Sequence, residues 1–344
     1  MNETEKINIF ISDRLINTLD SDARAFELFK KDGETINRNH FLNLLIDGYA
    51  SQYDSEYNHA YEMINKKLTD SGNPPDQSGE LADSILKEII FPEIPGRKGK
   101  QTRKISLKPT ALTCTAVSGI MRELHGDAVS QYFRRMFTSY AEKPFSERER
   151  IIFHKTVSQL NLACEKSRPV SFSTLRAREV IHDVIPYAIC TGKEEMYNYL
   201  LCQEYSDSLK CCQAAVFRLN RITGLRSSSK NVLIDKDVKR HLDLMKRYGP
   251  QYVINDDEET CVRLSEHGEF LYHHSIYYGR PEYDRNEKKP DGTYYYFKGS
   301  KDQIFLYFRR FEKDDAIILS PASLRQRMIE FHQSALESYQ KSNP

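Results

Sequence analysis

Lys104, Ser106 and Lys108 alternate with Ile105 and Leu107, and far upstream Lys6, Asn8 and Phe10 alternate with Ile7, Ile9 and Ile11. A period of two puts one set on each face of a strand. The outward set would hold ammonium groups, a hydroxyl, an amide and one flat ring. Such groups attract phosphates, hydrogen-bond to base edges and stack on bases. Arg97, Lys98, Lys100 and Arg103 lead into the second strand, and no acid interrupts the chain from Arg97 to Lys108. Arg134 and Arg135 add charge on a later helix. The bland alternative is a solvated linker with ordinary surface charge. The Lys-x-Ser-x-Lys alternation favours a nucleic-acid-binding face.

A second group contains Tyr197, Tyr199, Arg218 and Arg221. Arginine is a fixed-charge fork suited to phosphate or base edges, and tyrosine stacks on a base or donates its hydroxyl. The structural alternative has the arginines paired with Asp183 or Asp207 and the tyrosines packed.

No comparable grouping suggests catalysis. The ten His are scattered, and no His, Cys or carboxylate spacing matches a metal site. The seven Cys follow no paired pattern and read as reduced thiols. The glycines of Gly96–Thr102 are too close for a phosphate loop, and no buried strand precedes them. Asp256–Glu259 reads as a solvated turn, and nothing resembles a nucleophile elbow. A non-enzyme with no metal and no cofactor is therefore expected.

The charges nearly cancel, 50 basic against 49 acidic, so only their distribution is informative. Trp is absent, and 21 Tyr and 17 Phe supply the flat rings. The N-terminus lacks a basic region followed by an apolar core, so no signal peptide is expected. No apolar run approaches the ~20 residues that span a bilayer. A soluble, cytoplasmic protein with no membrane contact is expected.

The elements that position the first group form an internal repeat. Lys6–Ser12 reads as a strand, followed by a helix from about Asp13 to Lys31 and a second helix capped by Asn37. Lys104–Lys108 reads as the matching strand, with Pro109 at its end. A helix from about Ala111 to Leu124 stops at His125-Gly126, and the next helix carries Tyr132, Phe133, Met136, Phe137 and Tyr140. Leu45-Ile46-Asp-Gly-Tyr49-Ala50 aligns with Met136-Phe137-Thr-Ser-Tyr140-Ala141. One strand and two helices cannot bury their apolar faces alone, whereas two copies can pair their strands antiparallel over four helices. Between the copies, residues 52 to 70 read as a helix of their own, and Leu81–Phe91 as another.

This pattern resembles the ribbon-helix-helix family, whose members normally dimerise to complete the unit. Here one chain carries both halves. The resemblance implies that the outward strand side chains contact nucleic acid, as strands do in the DNA major groove. The helix start near Asn37 offers free backbone N–H groups to a phosphate.

Glu147–Glu165 reads as one long helix. Probable strands follow at Pro169–Ser173, Asp183–Cys190, Met196–Cys202 and Ala214–Ile222. The order, with Asn198-Tyr199-Leu200 and Phe217-Arg218-Leu219-Asn220-Arg221-Ile222, resembles a WYL domain, with Asn198 in the place of the Trp. The resemblance implies a small Sm/SH3-like β-barrel that senses a ligand. It also implies that Tyr199, Arg218 and Arg221 line the ligand surface, with Tyr197 or Tyr199 replacing the lost ring.

The remainder resembles the extension that follows many WYL domains, including a Pro321-to-Arg325 helix start. Its helices and strands run from a linker helix at Lys236–Tyr248 to a final helix at Pro321–Tyr339. At least one ring of Tyr294, Tyr295 and Tyr296 must be exposed. The expected fold is α+β and multidomain. Residues 1–142 form an intrachain-paired ribbon-helix-helix module, 143–230 a preceding helix with the WYL barrel, and 231–344 a linker helix with an extension of ferredoxin-like pattern. The whole combination resembles the accessory proteins encoded beside type VI-D CRISPR RNA-targeting nucleases. That resemblance implies a homodimer, formed through the C-terminal region, that binds single-stranded RNA and enhances cleavage by a CRISPR effector nuclease. A DNA-binding transcriptional regulator with a ligand-sensing WYL domain is the alternative. The ribbon's Lys, Ser, Asn and Phe suit backbone attraction and stacking better than base-edge reading, which favours RNA.

Overall fold

Ile7, Ile9 and Ile11 lie on one face of β1 (Ile7–Ser12) and are buried. Ser12 ends the strand and caps α1 (Asp13–Ala25), its hydroxyl accepting the Leu15 N–H at 3.2 Å. Asn37 caps α2 (Arg38–Asp70) in the same way, through the His40 N–H. After α3 (Pro75–Ile85) and a π-helical turn at Leu86–Ile90 comes β2 (Thr102–Leu107). The helices α4 (Cys114–Glu123), α5 (Asp127–Glu142), α6 (Phe145–Ile152) and α7 (His154–Glu165) follow.

This computed structural model describes residues 6–92, 102–124, 127–194 and 196–341. Arg97, Lys98, Lys100 and the helix stop at His125-Gly126 lie outside the described residues. The chain divides into two units, Met1–Val157 and Ser158–Pro344. Among the described residues the fold is α+β, with three antiparallel sheets.

In the first unit β1 and β2 pair antiparallel, Ile7 opposite Leu107 and Ile9 opposite Ile105. Their apolar faces lie on a core that includes Leu15, Leu19, Phe41, Leu45, Phe133 and Phe137, all buried. Each such side chain contributes about 1.5–3 kcal/mol relative to exposure. Sequence expectations change here: the helix expected from about Asp13 to Lys31 ends at Ala25. The helices expected at Asn37 and at residue 52 are one continuous α2 of 33 residues. Gly48 sits inside it because α6 crosses there: a Cβ would lie 2.1 Å from the Ile151 carbonyl oxygen. The single helix expected over Glu147–Glu165 is two, broken at Phe153. That residue leaves helical geometry and packs edge-on against buried Phe26, with ring centroids 5.8 Å apart.

Two buried polar groups tie the layers together. Asp22 is 1% exposed and accepts from Arg148 Nε at 2.7 Å, Arg148 Nη2 at 3.0 Å and the Tyr140 hydroxyl at 2.9 Å. Asn43, also 1% exposed, donates to the Lys108 carbonyl at 3.1 Å. It accepts from the Thr110 N–H at 3.0 Å and from the Thr113 hydroxyl. This amide thus bonds the backbone on both sides of Pro109, where β2 leaves the sheet.

The second unit holds a five-stranded sheet in the order β6-β5-β4-β3-β7. Its strands are β3 (Val170–Thr174), β4 (Ala177–Thr191), β5 (Asn198–Ser206), β6 (Cys211–Arg218) and β7 (Ile222–Ser227). The strand expected to continue through Ile222 stops at Arg218; a single 3-10 turn, Leu219–Arg221, redirects the chain into β7. The linker helix α8 (Lys236–Tyr248) packs Leu242 and Met245 against Leu201 and Ala214.

A second sheet, ordered β11-β8-β10-β9, is built from β8 (Thr260–Leu264), β9 (Arg285–Lys289), β10 (Gly292–Phe297) and β11 (Ala316–Ser320). Between its strands run α9 (Glu266–Phe270) and α10 (Lys301–Phe308), and α11 (Ala322–Lys341) ends the described chain. Tyr295 is buried with Tyr272 and Phe297, while Tyr294 and Tyr296 lie on the opposite face. There Lys289 Nζ sits 4.2 Å from the Tyr294 ring centroid and the Arg285 guanidinium 3.4 Å from that of Tyr296. No described helix is long and apolar enough to cross a membrane.

Asp22→Ala is expected to lower stability by about 3–5 kcal/mol, because it leaves the Arg148 guanidinium inside without a counter-charge. Asn43→Ala is expected to cost about 1–3 kcal/mol through the unsatisfied groups it leaves. Urea denaturation followed by circular dichroism checks both; a midpoint equal to the unsubstituted chain contradicts either one.

Candidate nucleic-acid interface

The β1–β2 pairing decides which side chains of the first unit face solvent. Inward Ile and Leu leave Asn8 opposite Ser106 and Phe10 opposite Lys104 on the outer face. The Ser106 hydroxyl donates to Asn8 Oδ1 at 3.1 Å, which pins the register across the ribbon. Phe10 is 51% exposed, a large apolar ring held in water by its strand position. Lys6 and Lys108 are exposed at the same end of the ribbon, and among these six residues no carboxylate occurs.

Lys108 is tied to the start of α2. The Asn39 side chain accepts the Lys108 N–H at 2.8 Å and donates to its carbonyl at 3.1 Å. This clamp sets Lys108 beside the helix N-terminus, where the helix dipole favours an anion. Asn39 and Asn43 were not singled out from sequence. Two amides spaced i,i+4 on an otherwise apolar helix face were the available signal.

Not every basic residue joins this face. Arg103 stands opposite Ile11, and its Nε pairs with Asp13 Oδ1 at 2.8 Å. Arg134 and Arg135 are half-buried on α5, and Arg135 lines a cavity with Tyr53, Tyr57 and Asp83. The ribbon face is thus Lys6, Asn8, Phe10, Lys104, Ser106 and Lys108, with the α5 arginines serving a different environment.

In the second unit, the Arg218 guanidinium lies 3.5 Å from the centroid of the Tyr197 ring. That contact is a cation–π pair, with a delocalised cation held over an aromatic ring. Tyr199 pairs with Arg218 across β5 and β6 but is only 6% exposed. Its ring packs so closely on Gly192 that a Cβ there would come within 2.9 Å of Cε2. Arg221 is half-buried in the 3-10 turn, its carbonyl accepting the Leu175 N–H at 2.9 Å. The structure therefore brings Tyr197 and Arg218 together, and seats Tyr199 as a packed residue behind them. Tyr252, whose hydroxyl donates to Glu194 at 2.9 Å, borders the same β4–β5 turn and carries no sequence signal for it.

Among the described residues no group of three His, Cys, Asp or Glu is arranged to hold a metal ion. All seven cysteines are free thiols. Cys202 is fully buried, and burial pushes its thiol well above the usual range.

No family model matches the chain, and no curated protein matches it. Among solved structures, one described as the crystal structure of a CRISPR Cas-related protein is similar over 99% of this chain and 95% of its own, with a TM-score of 0.68 and 22% identity. The proteasome accessory factor B/C (PafBC) of Arthrobacter aurescens aligns over 98% of this chain and 50% of its own at 15% identity, with a TM-score of 0.28. The second alignment is too distant to carry weight. The first shows that this chain shares, over nearly its full length, the fold of a CRISPR Cas-related protein.

Proposed function

We propose that this chain is a single-stranded RNA-binding accessory protein that enhances RNA cleavage by a CRISPR RNA-guided nuclease, and that it is a binder rather than an enzyme. The observation that carries the reading is the ribbon face, where three exposed lysines, two hydrogen-bonding side chains and one exposed Phe lie together without a carboxylate. Lysines attract the phosphate backbone at any sequence, and an exposed ring stacks on an unpaired base. A single strand offers both at once. A paired duplex offers its bases only by their edges, which Lys and Ser read poorly.

On this reading β1–α1–α2 and β2–α4–α5 are the two halves of an intrachain-paired ribbon-helix-helix module within residues 1–142. The β3–β7 sheet is a WYL barrel of the Sm/SH3 type, in 143–230. The β8–β11 sheet with its helices is a ferredoxin-like extension, in 231–344, through which two copies dimerise. The Tyr197–Arg218 pair supplies the WYL contact, with Arg221 close in sequence and Tyr199 supporting from behind. The shared fold with a CRISPR Cas-related protein is in keeping with a nuclease partner. The protein would act in the cytoplasm, where the guide-loaded effector meets its target.

A second reading, a DNA-binding regulator with a WYL sensor, is favoured by one observation. A two-stranded antiparallel ribbon has the dimensions to enter a major groove.

Fluorescence anisotropy at one fixed salt concentration separates the readings. Tighter binding to single-stranded RNA than to random-sequence duplex DNA is expected; equal or reversed affinities overturn the RNA reading. The double substitution Lys104→Glu with Lys108→Glu is expected to weaken RNA binding and to flatten its dependence on log salt by about 0.7 for each lost phosphate contact. An unchanged slope would remove the ribbon from the interface.

A further inference from the structure

Inside the first unit, on helices rather than on the ribbon, is a cavity of about 510 Å3. Its walls come from α2, the α3 region, the end of α4 and the start of α5. That size falls within the range of small-ligand pockets. Three tyrosines form its aromatic walls: the Tyr53 ring meets Tyr132 edge-on at 84° and Tyr57 at 43°, with centroids 5.5 and 6.2 Å apart.

The polar groups of the cavity divide into two sets. In one, Asp54 accepts the Tyr132 hydroxyl at 2.8 Å, and the Glu123 carboxylate adds a like charge nearby. Partial desolvation, reinforced by Glu123, raises the Asp54 carboxyl above its ordinary value. This set is rich in acceptors. In the other, Asp83 accepts from the Tyr57 hydroxyl at 2.9 Å and pairs with Lys87. Burial pushes Asp83 up, but the hydrogen bonds from Lys87 and Tyr57, with the Arg135 charge, outweigh it and hold the carboxyl low. Lys87 and Arg135 both act on this carboxylate. Tyr53 lies between the sets and feels both Arg135 and Asp54.

A cavity with aromatic walls, an acceptor end and a cationic end has a complement with three features: a flat ring, an amino edge and an anionic group. We propose that this cavity binds a mononucleotide whose base carries an exocyclic amine, such as an adenine nucleotide. The amine donates to Asp54 and Glu123, the ring lies against Tyr53 and Tyr132, and the phosphate is held by Lys87 and Arg135. This is independent of the RNA-binding reading, because none of these residues belongs to the ribbon face or to the Tyr197–Arg218 pair.

Isothermal titration of the full chain with AMP, adenosine, UMP and spermidine tests it. Saturable AMP binding is expected, with adenosine and UMP each weaker by about tenfold, the loss of one charge-assisted contact. Lys87→Gln should bring AMP down to the level of adenosine, and Glu123→Gln should bring it down to the level of UMP. Both side chains are at least partly exposed, and thermal melts confirm that the variants fold. Arg218→Gln should leave AMP binding unchanged. Displacement of AMP by a short 5′-phosphorylated oligoadenylate would assign the nucleotide to a strand end, and its persistence to a free metabolite; either upholds the site. The proposal is overturned by equal binding of AMP and UMP, by binding of spermidine alone, or by AMP binding that survives both cavity substitutions.

Discussion

A two-stranded ribbon is marginal in water unless one of its faces is buried, and the first unit is organised around that constraint. The pairing of β1 with β2 joins segments far apart in the chain, so its closure must be offset by burial. The five inward Ile and Leu side chains supply part of that, and the aromatic residues of α2 and α5 supply a floor beneath them. Asn43 completes the closure. With Asn39 it matches the backbone donors and acceptors where the chain leaves β2. Capping by Ser12 sets where α1 departs from the ribbon, and capping by Asn37 sets where α2 begins.

The same alternation that buries Ile and Leu commits their neighbours to solvent. Side-chain direction in a strand is binary, so a slip of one residue would drive Lys104 and Lys108 inward and lift Ile105 out. The Asn8–Ser106 hydrogen bond opposes that slip on the outer face, as the apolar fit does on the inner one. The outer side chains and the apolar core of this ribbon are therefore fixed by one and the same register. In the second unit the division is sharper: Tyr199 supports from within, while Arg218 and Tyr197 form the pair beside it.

What could be read from the chain alone was whatever depends on local period. The two strands, their buried faces and the Asn37 cap all follow from residues within a few positions of one another. The continuity of α2 was not legible, because its second half is polar and amphipathic pattern fades there. Nor was the break at Phe153, which is decided by Phe26, far away in sequence. The strand β9 reads Arg-Asn-Glu-Lys-Lys and has no apolar alternation at all; it exists because β10 offers it a backbone partner. In β7 the pattern is interrupted by Gly224, which has a positive φ of 65°. The Tyr53–Tyr132 cavity was invisible for a similar reason. Its walls come from four separate stretches, and no one of them carries a motif.

Because both strands of the ribbon belong to one chain, nothing obliges their outer residues to match. A ribbon made by two identical chains presents a face with a dyad, which favours a palindromic target. Here one edge shows Lys, Asn and Phe and the other shows Lys, Ser and Lys, and the only exposed ring sits off centre, across from Lys104. Such a face has a polarity. It can distinguish the two directions in which a strand might lie across it, and so suits a ligand that itself runs one way, from a 5′ end to a 3′ end.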